Sequence, residues 1–259
     1  MNVSSNPDSG VRRFHTADAG APRLVCFPHA GGSASFFFPV SRALAPSVEV
    51  LAMQYPGRQD RHQEPLIDSI TALADRVFAE LRDVLDAPVT FFGHSMGATV
   101  AFEVARRMSG AGLAPPVRLI VSARRAPSLP TTERVHLRDD EGVLAQLRKL
   151  SGTAPEALGN EEIMRMAMPS IRNDYKAIET YVSEPDARVD CPVTAFAGDA
   201  DPSGSVDEVR AWERHTTRDA ELEVFSGGHF YLAERPQEVL DAITRRMTED
   251  ARRGAHEVP

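Results

Sequence analysis

The sequence predicts an α/β protein: a mostly parallel central sheet with helices on both faces and a helical segment inserted late in the chain. Three observations carry this. Short β-rich apolar runs alternate with stretches of helical periodicity. One such run, Val89-Thr90-Phe91-Phe92, passes directly into Gly93-His94-Ser95-Met96-Gly97, a serine between two glycines where a buried strand turns into a helix. From about Arg124 to Asp190 the strand rhythm then stops, and helical patterns take its place.

Strands are expected near Arg23–Pro28, Val48–Gln54, Val89–Gly93, Val117–Ala123, Pro192–Gly198 and Glu221–Phe225, with Val11–Phe14 as a possible edge strand. Between the second and third, Ile70, Leu73, Val77, Phe78, Leu81 and Leu85 repeat at helical spacing and make one apolar face. After the serine, Ala98, Ala101, Val104, Ala105 and Met108 predict a helix packed closely through small residues. Ser205 with Glu208 reads as a capping box opening a helix through Trp212. Pro236 suits the first position of a final helix through Met247, with a frayed charged tail after Asp250. A segment as long as 124–190 is not an idle loop. It carries Val143, Leu144, Leu147 and Leu150, then a stripe of Met164, Met168, Ile171, Tyr175, Ile178 and Val182. Pro169 is expected to kink that stripe or to start a new helix. Met164, Met166 and Met168 offer adaptable apolar surface, or ordinary packing. The expectation is a single domain, 1–259, with 124–190 as a helical lid.

Composition narrows the function. The net charge of −8 argues against a nucleic-acid binder, which needs a basic surface. No run is long and apolar enough to span a bilayer, and Met1–Gly10 lacks the apolar core of a secretory signal. Cys26 and Cys191 fall in or beside predicted strands, where buried free thiols fit a reducing compartment better than a disulfide. A cytoplasmic location is expected.

The G-x-S-x-G turn reads as the nucleophile elbow of α/β-hydrolases. Its glycines leave room for strand and helix to pack around a strained serine, whose hydroxyl and following N–H groups then face one point. A serine hydroxyl needs a base within reach. His229, in Ser226-Gly227-Gly228-His229-Phe230 after the last strand, is the candidate. The imidazole needs a carboxylate to fix its tautomer. Ala197-Gly198-Asp199-Ala200-Asp201-Pro202 offers two, of which Asp201 is assigned and Asp199 is expected to bond loop amides. The order Ser95, Asp201, His229 is that of α/β-hydrolases. Oxyanion donors are expected from the N–H of Met96 and from Ala30, in the glycine-bearing loop Phe27-Pro28-His29-Ala30-Gly31-Gly32-Ser33. His29 and His94 are expected to brace their loops, with the His94 side chain pointing away from the site. Ligand spacing for a metal and a nucleotide-binding glycine pattern are both lacking.

With these residues placed, the sequence resembles the stand-alone type II thioesterases that accompany modular polyketide synthases and nonribosomal peptide synthetases. The matching segments are Phe27-Pro28-His29-Ala30-Gly31-Gly32, Tyr55-Pro56-Gly57-Arg58, Phe92 to Ala98, Gly198-Asp199-Ala200-Asp201 and Gly227-Gly228-His229-Phe230. The resemblance implies an editing enzyme that hydrolyses acyl thioesters on the phosphopantetheine arm of an acyl carrier protein or peptidyl carrier protein and removes stalled groups. It implies no cofactor, and a monomer is expected. A general serine esterase is the alternative. Carrier proteins are acidic, so Arg58, Arg61, Arg124 and Arg125 are docking candidates, weighed against solvated or internally paired arginines.

Overall fold

A computed structural model describes residues 10–151 and 161–256. Seven strands form one sheet: β1 (Val11–Arg12), β2 (Arg23–Phe27), β3 (Glu49–Met53), β4 (Val89–His94), β5 (Arg118–Ser122), β6 (Val193–Gly198) and β7 (Ala220–Phe225). Their spatial order is β1-β3-β2-β4-β5-β6-β7, all parallel except β1, which pairs antiparallel with β3 at one edge. The central strands are buried along their whole length, which is why they read as continuous apolar runs. Each predicted strand is present, with ends shifted by at most a few residues.

Helices cover both faces. On one face, α2 (Ile70–Leu81) and α3 (Met96–Gly110) pack Leu73, Val77, Phe102 and Val104 against Val25, Phe91 and Leu119. On the other, α1 (Phe38–Leu44) and the final helix pack Phe37, Leu44, Val239 and Ile243 against Leu24, Phe92 and Phe196. The short α6 (Val206–Arg210) carries the predicted capping box: Ser205 Oγ accepts from Glu208 N–H, and the Glu208 carboxylate accepts from Ser205 N–H. Another short helix, α7 (Tyr231–Glu234), precedes α8 (Pro236–His256).

The tail expectation is corrected. α8 runs on to His256 instead of fraying after Asp250. Asp250 is itself a clamp, accepting from Arg118 Nε at 2.8 Å and Nη2 at 2.7 Å, while Arg118 Nη1 donates to Thr194 Oγ1. This bidentate pair fastens the last helix to the start of β5. Cys26 and Cys191 are free and buried.

Between β5 and β6 lie α4 (Asp140–Ser151) and α5 (Glu161–Glu179), which share a small apolar cluster of Val135, Val143, Met164, Met168, Ile171 and Tyr175. Two expectations need correction here. Pro169 does not start a new helix, because α5 runs through it. Pro169 and Arg165 are both exposed on one face, so water can take the Arg165 carbonyl that loses its bond. Val182 lies beyond the helix end and is 51% exposed, and Met166 is 77% exposed. The buried stripe is therefore Met164, Met168, Ile171, Tyr175 and Ile178. Among the described residues no helix is long and apolar enough to cross a membrane.

Candidate active site

The loops leaving the C-terminal ends of β2, β4, β6 and β7 converge on one cluster, the usual place for a site in an open parallel sheet. At the end of β4 the chain turns at once into α3, and Ser95 takes the turn at φ 55°, ψ −120°. Two contacts hold this strained residue. Its N–H donates to Ser122 O at 2.8 Å. Gly97 lies so near β2 that a Cβ there would sit 2.0 Å from the Phe27 carbonyl oxygen. The strain places the hydroxyl outside the helix, at the strand end.

Ser95 Oγ is 3.0 Å from His229 Nε2, and His229 Nδ1–H donates to Asp201 Oδ2 at 2.8 Å. An ionised carboxylate only accepts, so the imidazole proton belongs on Nδ1 and Nε2 is free to accept from the serine. Both the imidazole and the Asp201 carboxyl are 3% exposed. Burial, the largest influence, pushes that carboxyl up. Hydrogen bonds from His229 and Ser203 outweigh it, and the pKa falls below the ordinary carboxylate value. The group stays ionised beside the imidazole.

Ser203 was not singled out from sequence. Its N–H and Oγ–H donate to Asp201 Oδ1 at 2.8 and 2.7 Å, and its Oγ also lies 2.8 Å from His229 Nδ1. The signal was present: an aspartate followed two residues on by a serine is the spacing of a side-chain-to-backbone turn. Asp199 takes the predicted structural part, accepting from Gly227 N–H at 2.9 Å.

Met96 is the first residue of α3, so its N–H has no acceptor within the helix. Ala30 lies at the head of the loop after β2 and, with Ser95 and His229, lines a cavity of about 260 Å³. Leu147, Leu150, Met164, Ile171 and Tyr175 from the β5–β6 insertion line the rest of that half-open cavity. A larger hollow of about 1100 Å³ lies elsewhere, lined by Arg13, Arg23, Glu49 and Asp250 among others, and none of Ser95, Asp201 or His229 reaches it.

The reading of His94 is corrected. Its ring does not point away but packs 5.2 Å from the His229 ring, centroid to centroid, with Nδ1 2.9 Å from Ser122 Oγ, which in turn meets the Tyr231 hydroxyl at 2.5 Å. His29 braces its loop as expected, its ring 4.6 Å from Phe36 and 4.9 Å from Phe230. Burial, reinforced by the charge of His229, lowers both histidines, His94 well below its usual value and His29 to about 3. Both stay neutral in the folded protein, whereas the unfolded chain protonates them near pH 6.5. The unfolded state therefore binds more protons below that pH. Stability is fully present above about pH 6.5 and falls on acidification, by up to about 1.4 kcal/mol per pH unit for each ring. Urea midpoints measured from pH 7.5 to 5 should drop accordingly, and His94→Gln should flatten the decline.

The docking arginines are also corrected. Arg58 and Arg61 are 6% and 3% exposed. Arg58 pairs with Asp174, and Arg61 with Glu64 and Glu80. Arg125 donates to Ser203 O and Pro130 O and pairs with Glu208. Arg124 has its Nε buried, and burial together with Arg125 pushes it down to about 10. Arg58, Arg61 and Arg125 thus have internal partners, and Arg124 is half-buried with its Nε turned inward, so the four do not make a solvated basic patch.

A mostly parallel sheet of this order, with the strained serine after the central strand β4 and the histidine after the last, defines an α/β-hydrolase. A solved type II thioesterase, BorB from the borrelidin biosynthetic cluster, superimposes with a TM-score of 0.88 at 48% identity, covering 94% of this chain and 99% of that one. The thioesterase domain model matches residues 22–247, and the chain belongs to that family. Among its relatives is a probable cadicidin biosynthesis thioesterase of Streptomyces griseus, 50% identical over 92% of this chain and 65% of that protein's length. Thioesterase PikA5 of Streptomyces venezuelae is 49% identical over 93% of this chain and 87% of its own length.

Proposed function

We propose that this protein hydrolyses acyl thioesters held on the phosphopantetheine arm of acyl or peptidyl carrier proteins, clearing stalled or aberrant acyl groups from a polyketide or nonribosomal peptide assembly line. The observation that carries the reading is the hydrogen-bonded chain Ser95–His229–Asp201 beside a half-open, mostly apolar chamber. Relatives named for antibiotic biosynthesis support the substrate class.

Ser95 Oγ attacks the thioester carbonyl carbon while His229 Nε2 takes its proton, and Asp201 stabilises the imidazolium. The tetrahedral oxyanion is met by the N–H groups of Ala30 and Met96, each worth about 3 kcal/mol. Collapse breaks the carbon–sulfur bond, and the departing sulfur takes the proton from His229. A water then gives a proton to Nε2 and attacks the acyl-serine carbon. The free acid leaves, and Ser95 recovers its proton. The chamber takes the acyl chain, and the insertion of α4 and α5 serves as its lid. The volume of about 260 Å³ suits a short acyl group better than a full-length polyketide.

The test compares a propionyl thioester on a carrier protein with the nitrophenyl ester of the same acid. A kcat/KM at least tenfold higher for the carrier thioester is expected. A preference for the nitrophenyl ester would instead make the protein a general esterase, which the same three residues could equally serve.

A further inference from the structure

The motif Tyr55-Pro56-Gly57-Arg58 has no place in the chemistry above, yet its side chains are buried beside the loop that bears Ala30. The Tyr55 hydroxyl donates to Pro28 O at 3.3 Å. Arg58 donates to Pro56 O at 2.6 Å and forms an ion pair with Asp174 of α5. Asp174 is fully buried, and its Oδ2 also accepts the N–H of Gly31 at 2.7 Å. Gly31 stands at φ +74°, and a Cβ there would lie 2.6 Å from Ile171 Cγ1, so loop and helix touch without a gap. One carboxylate thus joins three segments far apart in sequence.

The position of that bond decides its meaning. Engaging the Gly31 N–H fixes the Ala30–Gly31 peptide plane. The preceding His29–Ala30 plane, which holds the Ala30 N–H, is engaged through His29 O, which accepts from Gly32 N–H at 2.9 Å. An oxyanion donor contributes only if it is already aimed when charge develops. A carboxylate accepting the next amide along the loop holds Ala30 between two engaged peptide planes and so does that aiming. It also removes Gly31 as a competing donor.

We infer that Asp174, held by Arg58, is a positioning residue for the oxyanion site: it fixes the loop so that the Ala30 N–H faces the reacting carbonyl. Asp174 touches neither substrate nor Ser95 and acts through the backbone. This rests on the reading of Ser95 and Ala30 given above.

A double replacement, Arg58→Met with Asp174→Leu, tests it best. Exchanging a buried pair for apolar groups of similar size is often neutral for stability, whereas Asp174→Ala alone strands a buried cation. Active sites are counted by stoichiometric labelling of Ser95 with a phosphonate. Turnover of an acyl-N-acetylcysteamine thioester is then expressed per labelled site. The expected result is a kcat lower by about 10²-fold with KM within about threefold, as for a donor misplaced by about 1 Å. Affinity for an alkyl boronic acid, which forms a tetrahedral adduct on Ser95, should fall in the same proportion, and affinity for the product acid should not. Asp174→Asn keeps an acceptor for Gly31 and should retain kcat within about fivefold, at lower stability.

If the double variant folds, labels fully and keeps wild-type kcat, the positioning role is overturned. An equal loss of product-acid and boronic-acid affinity overturns it too, since that marks a damaged chamber. A wild-type protein that fails to label at Ser95 overturns the underlying assignment instead, and the labelling step separates the two failures.

Discussion

Ser95→Ala is expected to lower kcat by about 10⁶-fold, the scale set by removing a nucleophile that works as a unit with its base. The fold should survive. Ser95 is held by its backbone, through the bond from its N–H to Ser122 O, and loses only a hydroxyl in the exchange. Alanine at φ 55° carries the same Cβ strain that serine already carries, so the turn neither gains nor loses much. KM should change little, because the exchange removes one hydroxyl from the chamber lining and leaves its apolar walls in place. The check is a paired measurement of turnover and phosphonate labelling, with circular dichroism to confirm the fold. Residual labelling, or turnover within 10³-fold of wild type, would place the nucleophile elsewhere.

Asp201→Asn should cost about 10⁴-fold in kcat with nearly unchanged structure. The reason is the direction of proton donation. A carboxylate can only accept from His229 Nδ1, whereas an amide can turn its NH₂ towards that nitrogen and drive the proton to Nε2. The base then presents a donor to Ser95. Ser203 sharpens the prediction. With two donors aimed at Oδ1, the amide oxygen is drawn to that side, which leaves the NH₂ facing the imidazole. Adding Ser203→Ala to Asp201→Asn should therefore recover part of the loss, whereas Ser203→Ala alone should cost several-fold. A pH–rate profile of the double variant compared with each single one checks this coupling.

The sheet was legible because its central strands are buried on both faces and so read as unbroken apolar runs, and because the serine turn imposes glycines that few other structures need. Asp201 and His229 were legible for a related reason: each lies in the loop just after a strand and is followed or preceded by residues that turn the chain inward. What stayed hidden depends on contacts that span the chain. Asp174 looks like one more polar residue on a helix, and only folding brings it to Gly31 and Arg58. α1 was missed because Phe36-Phe37-Phe38-Pro39 gives no helical periodicity, though Pro39 suits a first turn. Pro169 was read as a kink or a new helix start because sequence alone does not say which face of the helix is wet. The end of α8 was read as loose because Arg118, the partner that fastens Asp250, lies in a distant strand. His94 was turned the wrong way for the same reason, since Ser122 and Tyr231 orient its ring from β5 and α7.

The chamber has two helical walls of different kinds. Ile171 and Met164 stand on the helix that grips the Pro28–Gly32 loop, whereas Leu147 and Leu150 come from α4. Redesign for larger acyl groups should start on the α4 side. Cutting back α5 enlarges the same space while loosening the loop it holds, so breadth of substrate would be traded for speed. In this molecule, tailoring which acid is released and tuning how fast it is released are separable only along one of the two helices.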